Sequence, residues 1–419
     1  MAIKYLTKPV FLASLICIFF FYSGLIEIPE KKLLNSLLRN SELVAISGKL
    51  ISTPVKTSSG KYYSSLIDAK SLSSKTSSSS AFGHIKIYIP SEMIEAYFPG
   101  KLFSLSKNKG SFIYEAGAFY HFEGTCSNNE FYVNKCLSCQ WPKSFTGKID
   151  YFRALCRLHF KRLMYKWGNG GGLLLALLSG SKEYTEKTTS EAFKNAGLSH
   201  ILALSGMHLS MFSAISLFLG NIIGRKKISY IIRIIALILF VWFAGFSPSL
   251  LRAFICALLS LLSVMTGNKK SDLLLILCFS FLLQSIISPS DIHNIGFIMS
   301  YGALAGIIIS SSLFKFIYSK AFPNFISNSL AASSGAQIIT APISLKIFGS
   351  FAPIGILATS IVSPLITIFI YTGLAMILLS LIIPILEGPS GIFVNLQYNI
   401  IKYLVLFFSR VPKWSVNIQ

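Results

Sequence analysis

The sequence predicts a polytopic α-helical membrane protein that carries a soluble, β-rich extracytoplasmic domain near its amino end. Three observations carry that fold class. Hydrophobic residues make up 53% of the 419 and charged residues only 13%, with a mean hydropathy of +0.63; a soluble globular chain carries roughly 25% charged residues. Long apolar runs recur from about residue 200 to about 410. Between residues 27 and 150 the pattern changes to short alternating segments separated by Gly, Pro and Ser.

Taken in order, residues 1–26 hold an apolar run preceded by Lys4 and Lys8, with a poor cleavage site at Ser23-Gly24-Leu25. This reads as a first transmembrane helix with its amino end in the cytoplasm. Residues 27–150 then fall outside the cytoplasm. Runs at 43–52, 62–72, 84–90 and 118–124 are strand-like, and about five or six such strands suit a small barrel or sandwich. The serine-rich stretch 71–80 reads as a mobile loop. Tyr62-Tyr63, Tyr88, Phe119-Tyr120 and Phe131-Tyr132 are aromatic candidates for stacking on bases, although most strand aromatics of this kind serve the core. Cys126, Cys136 and Cys139 cluster here; outside the cytoplasm a disulfide is their natural use, and zinc through Cys136-x-x-Cys139 is the alternative.

Residues 151–170 contain Arg153, Arg157 and Lys161 at i, i+4 and i+8, joined by Arg162 and Lys166, with Leu155, Leu158, Leu163 and Met164 opposite. The expectation is a basic amphipathic helix in the membrane interface, touching anionic lipid headgroups, DNA backbone or both. Residues 171–419 form the membrane domain. Its first piece, 171–180, is too short to cross and reads as re-entrant or interfacial. Longer runs follow at about 200–222, 228–246, 249–266, 271–288, 293–312, 328–348, 352–383 and 390–410. Placing Arg225-Lys226-Lys227, Lys269-Lys270 and Lys315/Lys320 inside agrees with the amino-terminal orientation. Asp272 stands where it would cap a helix beginning at Leu273. The net charge of +22 points to an anionic partner beyond what loop topology needs.

The most informative stretch is His200-Ile-Leu-Ala-Leu-Ser205-Gly206-Met-His208. Histidines inside an apolar half-protein are costly and usually functional. On one regular helix His200 and His208 would sit about 12 Å apart along the axis, whereas a break at Ser205-Gly206 would let both face one cavity. Ser205 and His208 share a face at i, i+3. Arg252 follows Gly245-Phe-Ser-Pro-Ser-Leu-Leu at the start of a span, with Arg233 in the span before it.

Residues 199–209 closely resemble the signature of the ComEC competence family. So do Gly245–Arg252, the block from Ser288 to Tyr301, and Gln337…Pro342…Phe348-Gly-Ser-Phe-Ala-Pro353-Ile-Gly. In the third block Asn294 and Ile298 replace the family's Asp and Gln. The proline and glycine residues of the fourth are expected to break helices around a cavity. The resemblance implies an OB-like fold for 27–150 and a channel for single-stranded DNA through 171–419. It implies a DNA path past His200, Ser205, Gly206, His208 and Arg252. It also implies a multi-pass protein of the cytoplasmic (inner) membrane acting in natural transformation. Implied partners are single-stranded DNA, anionic membrane lipids, a DNA receptor, a nuclease and a cytoplasmic ATP-driven motor, and a homo-oligomer is open. Many members continue into a metallo-β-lactamase-like domain, whose His-x-His-x-Asp-His motif does not occur in these residues, and there is no Walker motif. The chain is therefore expected to be a short form, to hold no cofactor or metal, and not to be an enzyme. Two other readings stand beside this one: a transporter of another polyanion, and an intramembrane serine hydrolase built on Ser205 and a histidine.

Overall fold

Alternation of apolar and polar residues turns one side of each amino-terminal strand into a core. In the computed structural model, which describes residues 8–23, 43–74, 77–95, 112–222, 226–267 and 272–415, the chain forms two compact units. One holds residues 29–175 and 181–184; the other holds 1–28, 176–180 and 185–419. Lys4, Arg225, Lys269 and Lys270, used above to orient the spans, lie outside the described residues.

The first unit is a small β-barrel. Its strands are β1 (Ala45–Leu50), β2 (Val55–Lys56), β3 (Tyr62–Ser73), β4 (Ser78–Ser80), β5 (His84–Pro90), β6 (Phe119–Ser127) and β7 (Glu130–Gln140), with a short helix α1 (Ser91–Glu95) after β5. β1 pairs with β3 and β6, β3 with β5, and β6 with β7, all antiparallel, and β5 pairs with β7 in parallel. The ring β1-β3-β5-β7-β6 therefore closes on itself, which removes the exposed edges that an open sheet would present. Ile46, Leu50, Ile67, Leu72, Ile87, Phe122 and Phe131 fill the interior with no exposed surface. Two glycines permit the tight coiling, each at a register shift: a Cβ on Gly48 would lie 2.1 Å from the Asp68 carbonyl oxygen, and one on Gly124 only 1.9 Å from that of Tyr132. Asn128 and Asn129, both with positive φ, make the two-residue turn between β6 and β7, the backbone a tight hairpin favours. The serine-rich stretch departs from expectation. β3 runs on to Ser73 and β4 pairs back on it through Ser78–Ser80, because serine hydroxyls accept a sheet edge as readily as a loop; residues 75–76 lie outside the described residues.

Helix α2 (Phe145–Lys166) completes this unit. Ser144 caps it by accepting from the Gly147 N–H at 3.2 Å, and Leu158 and Tyr165 pack on the barrel core.

Helix α3 (Gly168–Ser179) has residues 168–175 in the first unit and 176–179 in the second, with Leu173 to Leu178 at most 3% exposed. The second unit contains an amino-terminal helix (Pro9–Tyr22) and, after α3, α4 (Lys187–Asn195), α5 (Gly206–Ile222), α6 (Lys226–Ala244), α7 (Pro248–Met265), α8 (Leu273–Ile287), α9 (Ile295–Tyr318), α10 (Asn324–Phe348), α11 (Gly355–Ile382) and α12 (Glu387–Ser409). Each long apolar run expected after residue 200 becomes one helix. Residues 248–265, 295–318, 355–382 and 384–409 are long and apolar enough to cross a membrane. Ser247, Asp272 and Asn294 cap α7, α8 and α9 with their side chains, so Asp272 does what its position suggested. Asn294 caps as an aspartate would, since the carbonyl oxygen of its amide accepts the Gly296 N–H at 2.8 Å. Pro342 and Pro364 do not break α10 and α11, which run through them; the break falls at Gly349, which ends α10 in a left-handed conformation. Gly306 of α9 and Gly335 of α10 bring those helices so close that a Cβ on Gly306 would lie 2.3 Å from a backbone oxygen, the small-residue contact typical of helices packed in lipid.

Candidate functional site

The signature segment folds around a break, as its Ser-Gly pair suggested. Residues 201–205 are not helical, and α5 starts at Gly206. The Ser205 N–H donates to His208 Nδ1 at 3.2 Å, and the Ser205 hydroxyl lies 3.2 Å from the same nitrogen. The turn is tied to α7 through the Ser249 hydroxyl, which donates to the Leu204 carbonyl at 2.7 Å. His208 is 1% exposed. His200 stays in the irregular stretch before the helix and is exposed. Its ring is within reach of the Gly197 backbone, and among the described residues no hydrogen bond joins it to His208.

Arg252 comes to the same place from α7. A Cβ on Gly206 would lie 3.3 Å from one of its terminal nitrogens. The guanidinium donates to the Ser300 carbonyl at 2.7 Å and sits 6.0 Å from the centre of the Tyr301 ring. Among the described ion pairs, none involves Arg252. A chain of buried polar groups supports it from behind. The Tyr301 hydroxyl donates to Gln284 Oε1 at 3.0 Å and meets the Ser280 hydroxyl at 3.3 Å, while Gln284 Nε2 donates to the Pro248 carbonyl at 3.0 Å. The structure thus gathers Ser205, Gly206, His208 and Arg252 and adds Tyr301 and Gln284. Gln284 escaped the sequence reading, although a signal existed: Ser280 and Gln284, four apart in an apolar span, mark one polar helix face.

A hydrolytic site needs a base whose second nitrogen is oriented by another group. Here His208 Nε2 is buried without a partner among the described residues, so there Ser205 and His208 form a pair rather than a triad.

The basic residues of α2 are not the open stripe that their spacing suggests. Arg157 and Lys161 are 3% and 7% exposed, because Glu115 and Glu183 meet them. Arg157 Nε lies 3.2 Å from Glu115 Oε1, and Lys161 Nζ lies 3.8 Å from Glu115 and 3.1 Å from Glu183. Burial alone would raise the Glu115 pKa, but Arg157 and then Lys161, with a bond from Thr53, hold it below the usual carboxylate value. Arg153 and Arg162 are half-buried and Lys166 is exposed. Met164, placed on the apolar lipid-facing side by the sequence, is fully buried. The exposed large apolar residues of α2 are instead Phe145, Ile149, Tyr151 and Phe152, three of them at i, i+4 and i+7, flanked by exposed Lys143 and Lys148.

On the barrel, Tyr63, Tyr120 and Phe131 are core, whereas Tyr62, Tyr88 and Tyr132 form an outer cluster with Tyr88 and Tyr132 stacked at 5.0 Å. Lys86 lies 4.8 Å from the Tyr88 ring centre. The expected disulfide is not formed: Cys126, Cys136 and Cys139 are free thiols. Burial pushes the Cys136 and Cys139 thiols up to about 12 and about 11. Among the described residues no cluster of His, Cys, Asp or Glu is arranged to hold a metal.

The second unit exposes isoleucine, leucine and phenylalanine along α6, α9, α11 and α12 while burying Arg252, His208 and Gln284. Four helices of this unit are long and apolar enough to cross a membrane, and the unit keeps these polar side chains inside while apolar ones face out. The chain belongs to the competence protein family, whose profile matches residues 177–419. It is similar to ComE operon protein 3 of Bacillus subtilis (strain 168), 27% identical over 245 residues, covering 58% of this chain and 30% of that protein. It is also similar to an uncharacterised protein of Aquifex aeolicus (strain VF5), 27% identical over 252 residues, covering 58% of this chain and 56% of that one. The matched stretch thus spans under a third of one relative and little over half of the other. No solved structure matches.

Proposed function

We propose that this protein is the cytoplasmic-membrane component of DNA uptake in competence and that its helical unit passes a single strand inward. The observation that carries this reading is Arg252: a buried guanidinium with no carboxylate partner among the described ion pairs, set beside the family signature inside an apolar bundle. Such a charge is costly unless an anion visits it. A strand must be held weakly at each position to keep moving, which a few dispersed cations provide. The amino end lies in the cytoplasm and residues 27–170 outside it. A small closed barrel suits the OB-like domain that the resemblance implies, a fold used on single strands, and Tyr62, Tyr88, Tyr132 and Lys86 offer rings and a cation for that task. Phe145, Ile149 and Phe152, with Lys143 and Lys148, suit an anionic lipid surface. A DNA receptor, a nuclease and an ATP-driven motor complete the process.

The test is uptake of labelled duplex DNA by cells lacking the gene. Label should become nuclease-protected yet never reach the cytosol, and wild type should restore entry where Arg252→Gln does not. Unchanged cytosolic entry in the deletion would sink the reading and favour a carrier of another polyanion.

A further inference from the structure

Around the start of α5, one buried nitrogen of His208 and one of Arg252 have no hydrogen-bond partner among the described residues. Because the Ser205 N–H donates to His208 Nδ1 at 3.2 Å, that nitrogen is the acceptor of the neutral ring, and the ring proton sits on Nε2. Nε2 is buried with no partner. A buried donor left in this state costs about 1–3 kcal/mol, and its neighbours offer no relief. Arg252 Nε is likewise buried without a partner among the described residues, on a side chain whose charge no described carboxylate offsets. Gly206 opens the seventeen-residue helix α5 and lies against the Arg252 guanidinium, with 3.3 Å between a would-be Cβ and the nearest nitrogen. The amino end of a helix adds partial positive charge at that point. Two unpartnered donors, a fixed cation and a helix amino end together reject cations and reward an acceptor that is itself anionic.

We infer that Gly206, His208 and Arg252 form an oxyanion site for a singly charged phosphodiester. The inference rests on the strand-passage reading, within which the site holds one backbone phosphate at a time. Tyr301 and Gln284 are positioning residues: the ring and the Ser300 carbonyl fix the guanidinium without neutralising it. The same chemistry is found in a phospholipid headgroup, so the source has to be settled by competition.

The probe is dimethyl phosphate, with neutral trimethyl phosphate as its control, titrated against the full chain in maltoside micelles and read by ³¹P line broadening. Wild type should broaden the anion and leave the neutral ester sharp. Arg252→Gln and His208→Phe should each weaken the effect about tenfold, the scale of one charge-assisted hydrogen bond. His208→Gln, which keeps an N–H near the position of Nε2, should retain it within about threefold. A packing role for His208 predicts the reverse, since phenylalanine fills the space better than glutamine, and this pair still decides the matter if Arg252→Gln does not fold. Equal broadening by Arg252→Gln and wild type, equal broadening of the two esters, or His208→Gln falling with His208→Phe would each overturn the site. Displacement by thymidylyl-thymidine at lower concentration than by glycerophosphoglycerol assigns the site to a strand, and the opposite order assigns it to lipid. Loss of DNA entry in the deletion without phosphodiester binding removes the site and leaves the passage. Binding with normal entry in the deletion does the opposite.

Discussion

Arg157 and Arg252 are both buried guanidiniums in one chain, yet their surroundings differ in kind. In the barrel unit Arg157 is 3.2 Å from Glu115, with Lys161 and Glu183 extending the pairing. In the helical unit Arg252 has a backbone carbonyl and a tyrosine ring. The first arrangement is closed: every charge meets its opposite and the cluster locks a helix onto the barrel. In the second, no carboxylate meets the guanidinium among the described ion pairs. A buried cation is therefore informative only together with what faces it.

The comparison breaks most sharply at Glu115. Glu115→Gln leaves Arg157 and Lys161 buried beside a neutral group, and removing one partner of a buried pair typically costs about 3–5 kcal/mol. Chemical denaturation of the full chain, followed by barrel tyrosine fluorescence, should show that loss. A cost below about 1 kcal/mol would mean that the cluster is wetter than its burial implies. Acid should act in the same direction. Because the Glu115 pKa is lower folded than unfolded, the unfolded chain binds more protons as pH falls. Stability is therefore complete above the ordinary carboxylate value of about 4.3 and drains below it. Glu115→Gln should flatten that part of the profile.

A smaller effect is expected at Glu186, which accepts from Lys402 at 2.7 Å and from Tyr398 at 2.8 Å across α4 and α12. The Lys402 bond, then those of Thr188 and Tyr398, lower its pKa to about 2. The group is partly exposed, so Glu186→Gln should cost only about 1 kcal/mol, with the pH dependence lost between about 4.3 and that value. The smallest stability change belongs to Arg252. Arg252→Gln removes a charge that no carboxylate meets among the described ion pairs, so thermal unfolding in micelles should move by less than about 1 kcal/mol in either direction while DNA entry falls. If its unfolding loss matches that of Glu115→Gln, the two regions are alike and the contrast fails.

Residues 71–80 and α2 show where local reading stops. Serine content suggested a loop, but the partner strand was already present and a sheet edge took the serines in. On α2, spacing placed Arg157 and Lys161 on one face and was right about the face. It could not show Glu115, some forty residues earlier, turning that face inward. Cys136 and Cys139 were legible as a cluster and not as free thiols, because pairing depends on strand register: Cys126 stands opposite Phe131, Cys136 opposite Phe122 and Cys139 opposite Tyr120.

The sequence by itself determined the helices and most strands of this protein, since periodicity and capping are properties of neighbours. Asp272 caps Leu273's helix and each long apolar run after residue 200 folds as one helix for that reason. It also left open a break or a close helix contact at Ser205-Gly206, and the helix does begin at Gly206. Only the tertiary structure decided which charges are neutralised. Compensation is set by groups distant in the chain and a few ångströms apart in space, and no local pattern carries that distance.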